Sequence, residues 1–551
     1  MQNMKTKIST LFVGLGVAAS SLLTTGCIEE TFPTSGATED QLGASAKATE
    51  ALVWAMPAYL NTPMSHAENH YEWGYGAMMH IRDVMTTDFA VVATSYDWFS
   101  SWALTQSQAN NNIYPQYIWN FYWKSVQTTN NLIAAIDEET ATDAQLGMLG
   151  NGLAFRAMYY LDMAQMFEFL PSDIYPSGVN PSGNDVTNMT VPIVREGMTE
   201  ADARNNPRVS RDEMAEFILG DLNKAEQYIA FSPFNGNKAL PNLACVYGLK
   251  ARCYMWLAGD GTVANATEYL TKAKEAARMA INLGGAPMTK DQCLSTTAGF
   301  NTLSCWMWGS QIVAEDDCVK TGIINWTSWM SNETDFGYAA AGAYNMIDAS
   351  MYNRIADTDF RKLMWKAPAG TALDGKSQWL KPDYAEATPV YGSLKFRPAN
   401  GAYKTPNEGA VSAYPLMRVE EMYFIEAECE ARLEGKSDLL TAFMTQYRDA
   451  DYVCKASSPE DILDEVIFQK RVELWGEGHV FFDYKRLNMP VVRGYASPVL
   501  TNHQDASRFN TTTRPAWMSV SIVITEENNN AALKGYENPD PTSKYTPWTG
   551  Q

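Results

Sequence analysis

A chain of 551 residues, 46% hydrophobic and 19% charged, has the apolar mass for a large core and is not a disordered polymer. Its formal charge of −21 sets up a field that repels polyanions, which excludes nucleic acid as the natural partner. Aromatic residues make up 12% of the chain, with 16 Trp, 28 Tyr and 21 Phe, more than a core of this size requires.

The N-terminus reads as an address. Lys5 and Lys7 precede an uncharged apolar stretch from Ile8 to Leu23, and Leu22-Leu23-Thr24-Thr25-Gly26-Cys27 closes it. This is a secretory signal, residues 1–26, followed by a bacterial lipobox, with Thr24 where leucine is usual. Acyl chains on Cys27 would hold the protein to a membrane, and residues 27–37, polar with Pro33 and Gly36, would form the tether. No later segment is apolar for long enough to span a bilayer.

From residue 38 onward the helical signal dominates. Helices are predicted at about 38–60, 115–137 and 144–169. Ser210-Arg211-Asp212-Glu213 reads as a capping box, and Met214, Ile218, Leu222, Ala225 and Ile229 behind it make one apolar stripe. Asn242 to Ala258 follows, with Ala244, Gly248 and Ala251 small enough for close helix approach. Asn265 to Leu283 is stopped by Gly284-Gly285. Later helices are predicted over Arg418 to Leu433, Ser437 to Val453, and from Ser458 with Pro459 in its first turn. The spacing suggests tetratricopeptide-like helix pairs. Between about 284 and 414 the periodicity fails, and a loop-rich region of that length is expected to carry function.

Beyond Cys27 seven cysteines remain, with no C-x-x-C pair and no zinc spacing; one disulfide among Cys293, Cys305 and Cys318 stays open. His66 and His70 stand four apart but lack a third metal ligand. Glu473, Glu477, His479 and Asp483 lie close in sequence and invite a catalytic reading. The plainer account is that they pair with Arg471, Lys485 and Arg486 to tie the last helices together. The sequence names no catalytic residue, no metal site and no cofactor, leaving only a structural calcium ion open.

Four blocks carry a family resemblance. They are Phe155-Arg156-Ala157-Met158-Tyr159-Tyr160-Leu161-Asp162-Met163 with Pro171; Pro207-Arg208-Val209-Ser210 running to Asp221-Leu222; Pro415 to Tyr423 with Ala427-Glu428; and Arg471-Val472-Glu473-Leu474-Trp475-Gly476-Glu477-Gly478-His479 with Phe482-Asp483 and Arg486. With the lipobox they resemble the SusD/RagB-like outer-membrane nutrient-binding lipoproteins. Gln469, Lys470 and Val480 depart from that pattern and would weaken a local ion-pair network.

The resemblance implies a mainly α fold, a tetratricopeptide-like helix-pair scaffold with an irregular, loop-rich ligand-binding half. Residues 38–551 would be one composite domain, its scaffold about 38–283 and 415–490 and its ligand region about 89–114 and 284–414. It also implies a cell-surface protein of a Gram-negative outer membrane that binds glycan and delivers it to a TonB-dependent SusC-like barrel, and that is not an enzyme. A peptide-binding RagB-type member is the alternative within the family. Outside it stand a surface glycoside hydrolase and a helical-repeat scaffold without a small ligand.

Aromatic placement points to the ligand surface. Tyr96 and Trp98 fall between two helices, and Trp306, Trp326, Trp329 and Tyr338 fall in the irregular region. A tryptophan in a Gly/Ser/Asn-rich loop lacks a helix stripe to explain it and is expected to be exposed. An exposed indole offers a flat apolar face to the C–H face of a pyranose, whose hydroxyls then need polar partners. Arg82, Asp83 and Asn111 are the candidates for those bonds, and the resemblance carries Arg82, Trp98, Trp326 and Trp329 into the site.

Overall fold

The structure, a computed structural model, describes residues 46–64, 68–92, 96–105, 108–297 and 300–550. The expected leader, Cys27 and the tether lie outside the described residues, as does His66.

The fold is mainly α. Its longer helices are α1 (Ala46–Tyr59), α2 (Gly74–Val84), α3 (Ile113–Ala134), α4 (Asp143–Phe167), α5 (Arg211–Tyr228), α6 (Leu243–Ala258), α7 (Ala266–Gly284), α8 (Val419–Glu434), α9 (Asp438–Tyr447), α10 (Pro459–Glu473) and α11 (Val480–Arg486). From α3 to α8 each packs on its successor, and α10 closes on α8, the stacked order expected of helix pairs. Side-chain caps begin them: Asn112 for α3, Thr142 for α4, Asn242 for α6 and Ser458 for α10. Ser210 caps α5 through the Glu213 N–H, but Glu213 does not return the bond, so the predicted box is half formed.

α4 is the central rod, buried from Gly147 to Phe167. Glycine lets it approach its neighbour: a Cβ at Gly147 would lie 2.2 Å from the Ser232 backbone nitrogen. At Gly248 on α6 a Cβ would lie 2.3 Å from the Met417 sulfur. The helix predicted to reach Val453 ends at Tyr447 instead, because Arg448 leaves helical geometry and turns its guanidinium inward to Glu473 and Glu420.

The irregular half is held by two short antiparallel pairs. Strand β1 (Phe89–Val91) pairs with β3 (Asn345–Ile347), and β2 (Trp308–Gln311) with β4 (Ala413–Met417). The register sets Phe89 opposite Ile347, so the segment after β1 lies beside the one before β3. Cys293, Cys305 and Cys318 are all unpaired, so no disulfide staples this region.

The fourth block is the keystone of a buried charge lattice. Glu473 accepts from Arg448 Nε at 2.7 Å and lies 3.1 Å from both Arg418 and Arg361. Glu477 lies 2.6 Å from Lys395 Nζ and 2.8 Å from Arg418 Nε, and Glu420 lies 2.8 Å from Arg418. Of the expected pairings Arg486 with Asp483 forms, and the other partners differ. Arg471 binds Asp88, Arg486 binds Glu428 and Asp483, and Lys485 donates to the Met166 and Glu168 carbonyls. Two of the three departures from the family pattern join the lattice: Gln469 accepts from Arg361, and Lys470 pairs with Asp483 at 2.8 Å, while Val480 is apolar core.

Candidate ligand-binding surface

Most of the expected site residues are core. Trp306, Trp326, Trp329 and Tyr338 are each 1–2% exposed. The expectation that loop tryptophans stand open fails because the irregular segments fold their rings against one another. Trp326 packs on Tyr414 at 5.1 Å and crosses Phe396 edge-on, Trp329 meets Phe99 at 5.1 Å, and Trp306 meets Phe300 at 5.9 Å. Gly76 on α2 admits the Trp326 ring, since a Cβ there would come within 3.1 Å of it.

Arg82 and Asp83 are also buried and engaged. Arg82 binds Asp162 at 2.9 Å and the Tyr75 and Tyr122 hydroxyls at 3.1 Å, and Asp83 accepts from the Gly478 N–H at 2.9 Å. Burial pushes the Asp83 carboxyl well above the usual range. Neither can reach an external sugar; both tie α2 to its neighbours.

Two expected rings do reach the surface together. Trp98 and Tyr96 are half-buried, and Asn111 is exposed nearby in sequence. Trp98 stacks on His70, centroids 4.8 Å apart and planes within 8°, with Tyr71 against it at 5.7 Å. Tyr96 meets Tyr338 edge-on at 5.3 Å. The Tyr338 hydroxyl takes a bond from the Trp98 backbone N–H and lies 2.6 Å from His70 Nδ1. Burial lowers the His70 pKa to about 4, so the ring is neutral at pH 7 and can accept the Tyr338 proton. Asp97 holds the turn, accepting from the Phe99 and Ser100 N–H groups at 2.9 and 3.1 Å, and burial raises its pKa to about 6. Tyr338 and His70 thus act as a rigid backing that presents Trp98, rather than as groups that meet ligand.

Sequence reasoning passed over His70 as a ring support because it was weighed only as a metal ligand. It also passed over Trp379, which is half-buried in the loop before Lys381 and, unlike Trp306, Trp308, Trp326, Trp329 and Trp365, is not core.

Glu473 and Glu477 of the fourth block face the buried cations described above, while His479 and Asp483 line a small cavity of about 30 Å³ together with Asp162, Arg252, Glu421 and Lys470. That is room for a water or two, far below a ligand pocket. Among the described residues no group of three or more His, Cys, Asp or Glu is placed to hold a metal ion, and no helix is long and apolar enough to cross a membrane.

Comparison with known proteins agrees with this architecture. A family model described as the SusD family matches residues 361–549, and one described as starch-binding associating with outer membrane matches residues 42–255. The chain is a member of the SusD/RagB-like family. A SusD-like carbohydrate binding protein from Bacteroides vulgatus shares 21% identity at a TM-score of 0.67, covering 90% of this chain and 98% of its own. A SusD superfamily protein from Bacteroides thetaiotaomicron shares 17% identity at 0.63, with 90% and 99% covered. Surface glycan-binding protein A of Bacteroides thetaiotaomicron, solved with laminarihexaose, shares 16% identity at 0.60, with 90% and 99% covered. No curated protein sequence matches the chain.

Proposed function

We propose that this protein is a binding lipoprotein of the outer-membrane surface, anchored through acyl chains on Cys27, that captures oligo- or polysaccharide and delivers it to a TonB-dependent SusC-like barrel. The observation that carries the reading is Trp98, a half-open indole on a loop, stacked on a neutral histidine and flanked by Tyr96. Family membership and the laminarihexaose complex of a structural neighbour support it.

A platform of this kind contributes about 0.5–1.5 kcal/mol beyond burial. With a second ring and a few hydrogen bonds it gives millimolar to micromolar affinity, which suits a protein that must release its ligand. Binding rather than catalysis fits the fourth block, whose carboxylates are committed to core cations.

An array of glycans and peptides probed with residues 28–551 tests the proposal. Retention on glycans without new reducing ends is the expected result. Retention on peptides alone would assign the chain to the peptide-capturing branch, and release of reducing ends would make it a hydrolase.

A further inference from the structure

A second aromatic surface lies on the same strip of chain as the Trp98 platform. Tyr403 is half-buried, and its carbonyl accepts from the Asp335 N–H at 2.8 Å. Three residues on from Asp335 is Tyr338, which backs Trp98. Three residues span at most about 11 Å, so the two surfaces are close enough for one short oligosaccharide to touch both.

Tyr403 is unusual in its charged neighbours. Lys381 Nζ lies 5.2 Å from its ring centroid and 4.2 Å from that of Tyr384, and Lys404 Nζ lies 5.5 Å from Tyr403. Tyr384 closes edge-on against Tyr403 at 5.7 Å. Leu380 reaches Gly401, which keeps the loop carrying the half-open Trp379 against the Tyr403 segment.

The charges are not all paired off. Lys381 is paired with Asp335 at 2.7 Å, an oxygen that also accepts from the Tyr384 hydroxyl at 2.7 Å. Lys404 is exposed and has no ion-pair partner among the described residues. Asp383 acts on Lys381 as well, so the patch holds two ammonium groups and two carboxylates, and Lys404 is the ammonium left without a close partner, on a protein whose formal charge is −21. An acidic surface would repel an anionic sugar unless a local cation receives it.

We propose that Trp379, Tyr403, Lys381 and Lys404 form a second contact for the same glycan, one that takes a sugar bearing an anionic group, a uronate carboxylate or a sulfate ester. The rings carry the apolar face of the sugar, and Lys404, with Lys381 behind it, receives the charge. This rests on the glycan-capture reading but is separable from it.

The test is titration calorimetry with neutral hexasaccharides of glucose, mannose and galactose and with the same hexasaccharides oxidised to carboxylate at C6. The C6-sulfated forms make a third arm that separates the two anion sources. At low salt at least one anionic form should bind about tenfold or more tightly than its neutral parent. The margin should shrink as salt rises and collapse in Lys404→Gln, whose thermal midpoint should match the parent because the side chain is exposed and makes no ion pair among the described residues. Tyr403→Ala should weaken the anionic form more than the neutral one.

Equal affinity for neutral and anionic forms, with Trp98→Ala still weakening both, overturns this second contact and leaves glycan capture standing. A margin that persists in Lys404→Gln overturns it too. Absence of binding by every form overturns both readings.

Discussion

Tryptophan side chains of similar sequence context have opposite roles here. Trp329 and Trp98 both have Ser and Thr close by in sequence, yet Trp329 is closed in by Phe99 while Trp98 keeps part of its indole in water. Trp329→Ala should therefore lower stability by about 3–5 kcal/mol, the usual cost of emptying a buried aromatic site, as measured by urea unfolding. Asp97 gives a pH-dependent counterpart. Its folded pKa of about 6 lies above the 3.8 of an unperturbed aspartate, so its contribution is full below about 3.8 and is lost as pH rises through 6. Asp97→Asn removes that loss, and unfolding curves at pH 5 and 7.5 should differ less than in the parent by about 1–3 kcal/mol. An unchanged difference would mean that Asp97 does not titrate there. The indole exposures were not legible in the sequence: whether a loop ring is open depends on what other loops bring to it, as Phe396 and Tyr414 do for Trp326.

Helices, by contrast, were legible, because their caps and apolar stripes are local. α5 to α8 lie within a residue or so of their predicted bounds. The boundary missed, at the end of α9, was decided by the remote carboxylates Glu473 and Glu420, which no local pattern shows. Close packing between elements supplies a direct test. Gly147→Ala would gain about 0.5–1 kcal/mol of helix propensity, but the new Cβ would meet backbone at 2.2 Å where nothing flexible can yield. The clash should win, with a net loss of about 1–3 kcal/mol in a thermal melt. A variant as stable as the parent would show that α4 and the turn after α5 can part freely.

Across the whole molecule, the scaffold is tied by ions as well as by oil. Blocks far apart in sequence meet where Arg361, Arg418 and Arg448 surround Glu473, and where Arg486 grips Glu428. Burial alone would push the Glu428 carboxyl up, but Arg486, bonded at 2.7 Å, holds it down at about 2. A depressed carboxyl of this kind stabilises the fold fully above about pH 4.5, and that stability is lost as pH falls toward 2. Glu428→Gln should cost about 3–5 kcal/mol at pH 7, because Arg486 loses a buried partner. Its unfolding free energy should then change less than the parent's between pH 4.5 and 2.5; an identical acid profile would contradict the assignment. The third and fourth blocks that carried the resemblance meet at these tie points, and the first and second meet where Arg156 binds Asp221 at 2.7 Å, which is why family and scaffold were readable while the ligand surface was not. Trp379 and Tyr403 lie in segments that bond to Glu333 and Asp335, with no motif to mark them.

The capture of carbohydrate on an open indole is tested most directly by calorimetric titration of the chain and of its Trp98→Ala variant against a polysaccharide panel. The account predicts millimolar to micromolar binding of at least one glycan by the parent, a loss of about twofold to tenfold or more in the variant, and a variant that still melts cooperatively. Undiminished affinity in the variant, or no glycan bound by the parent, would contradict it.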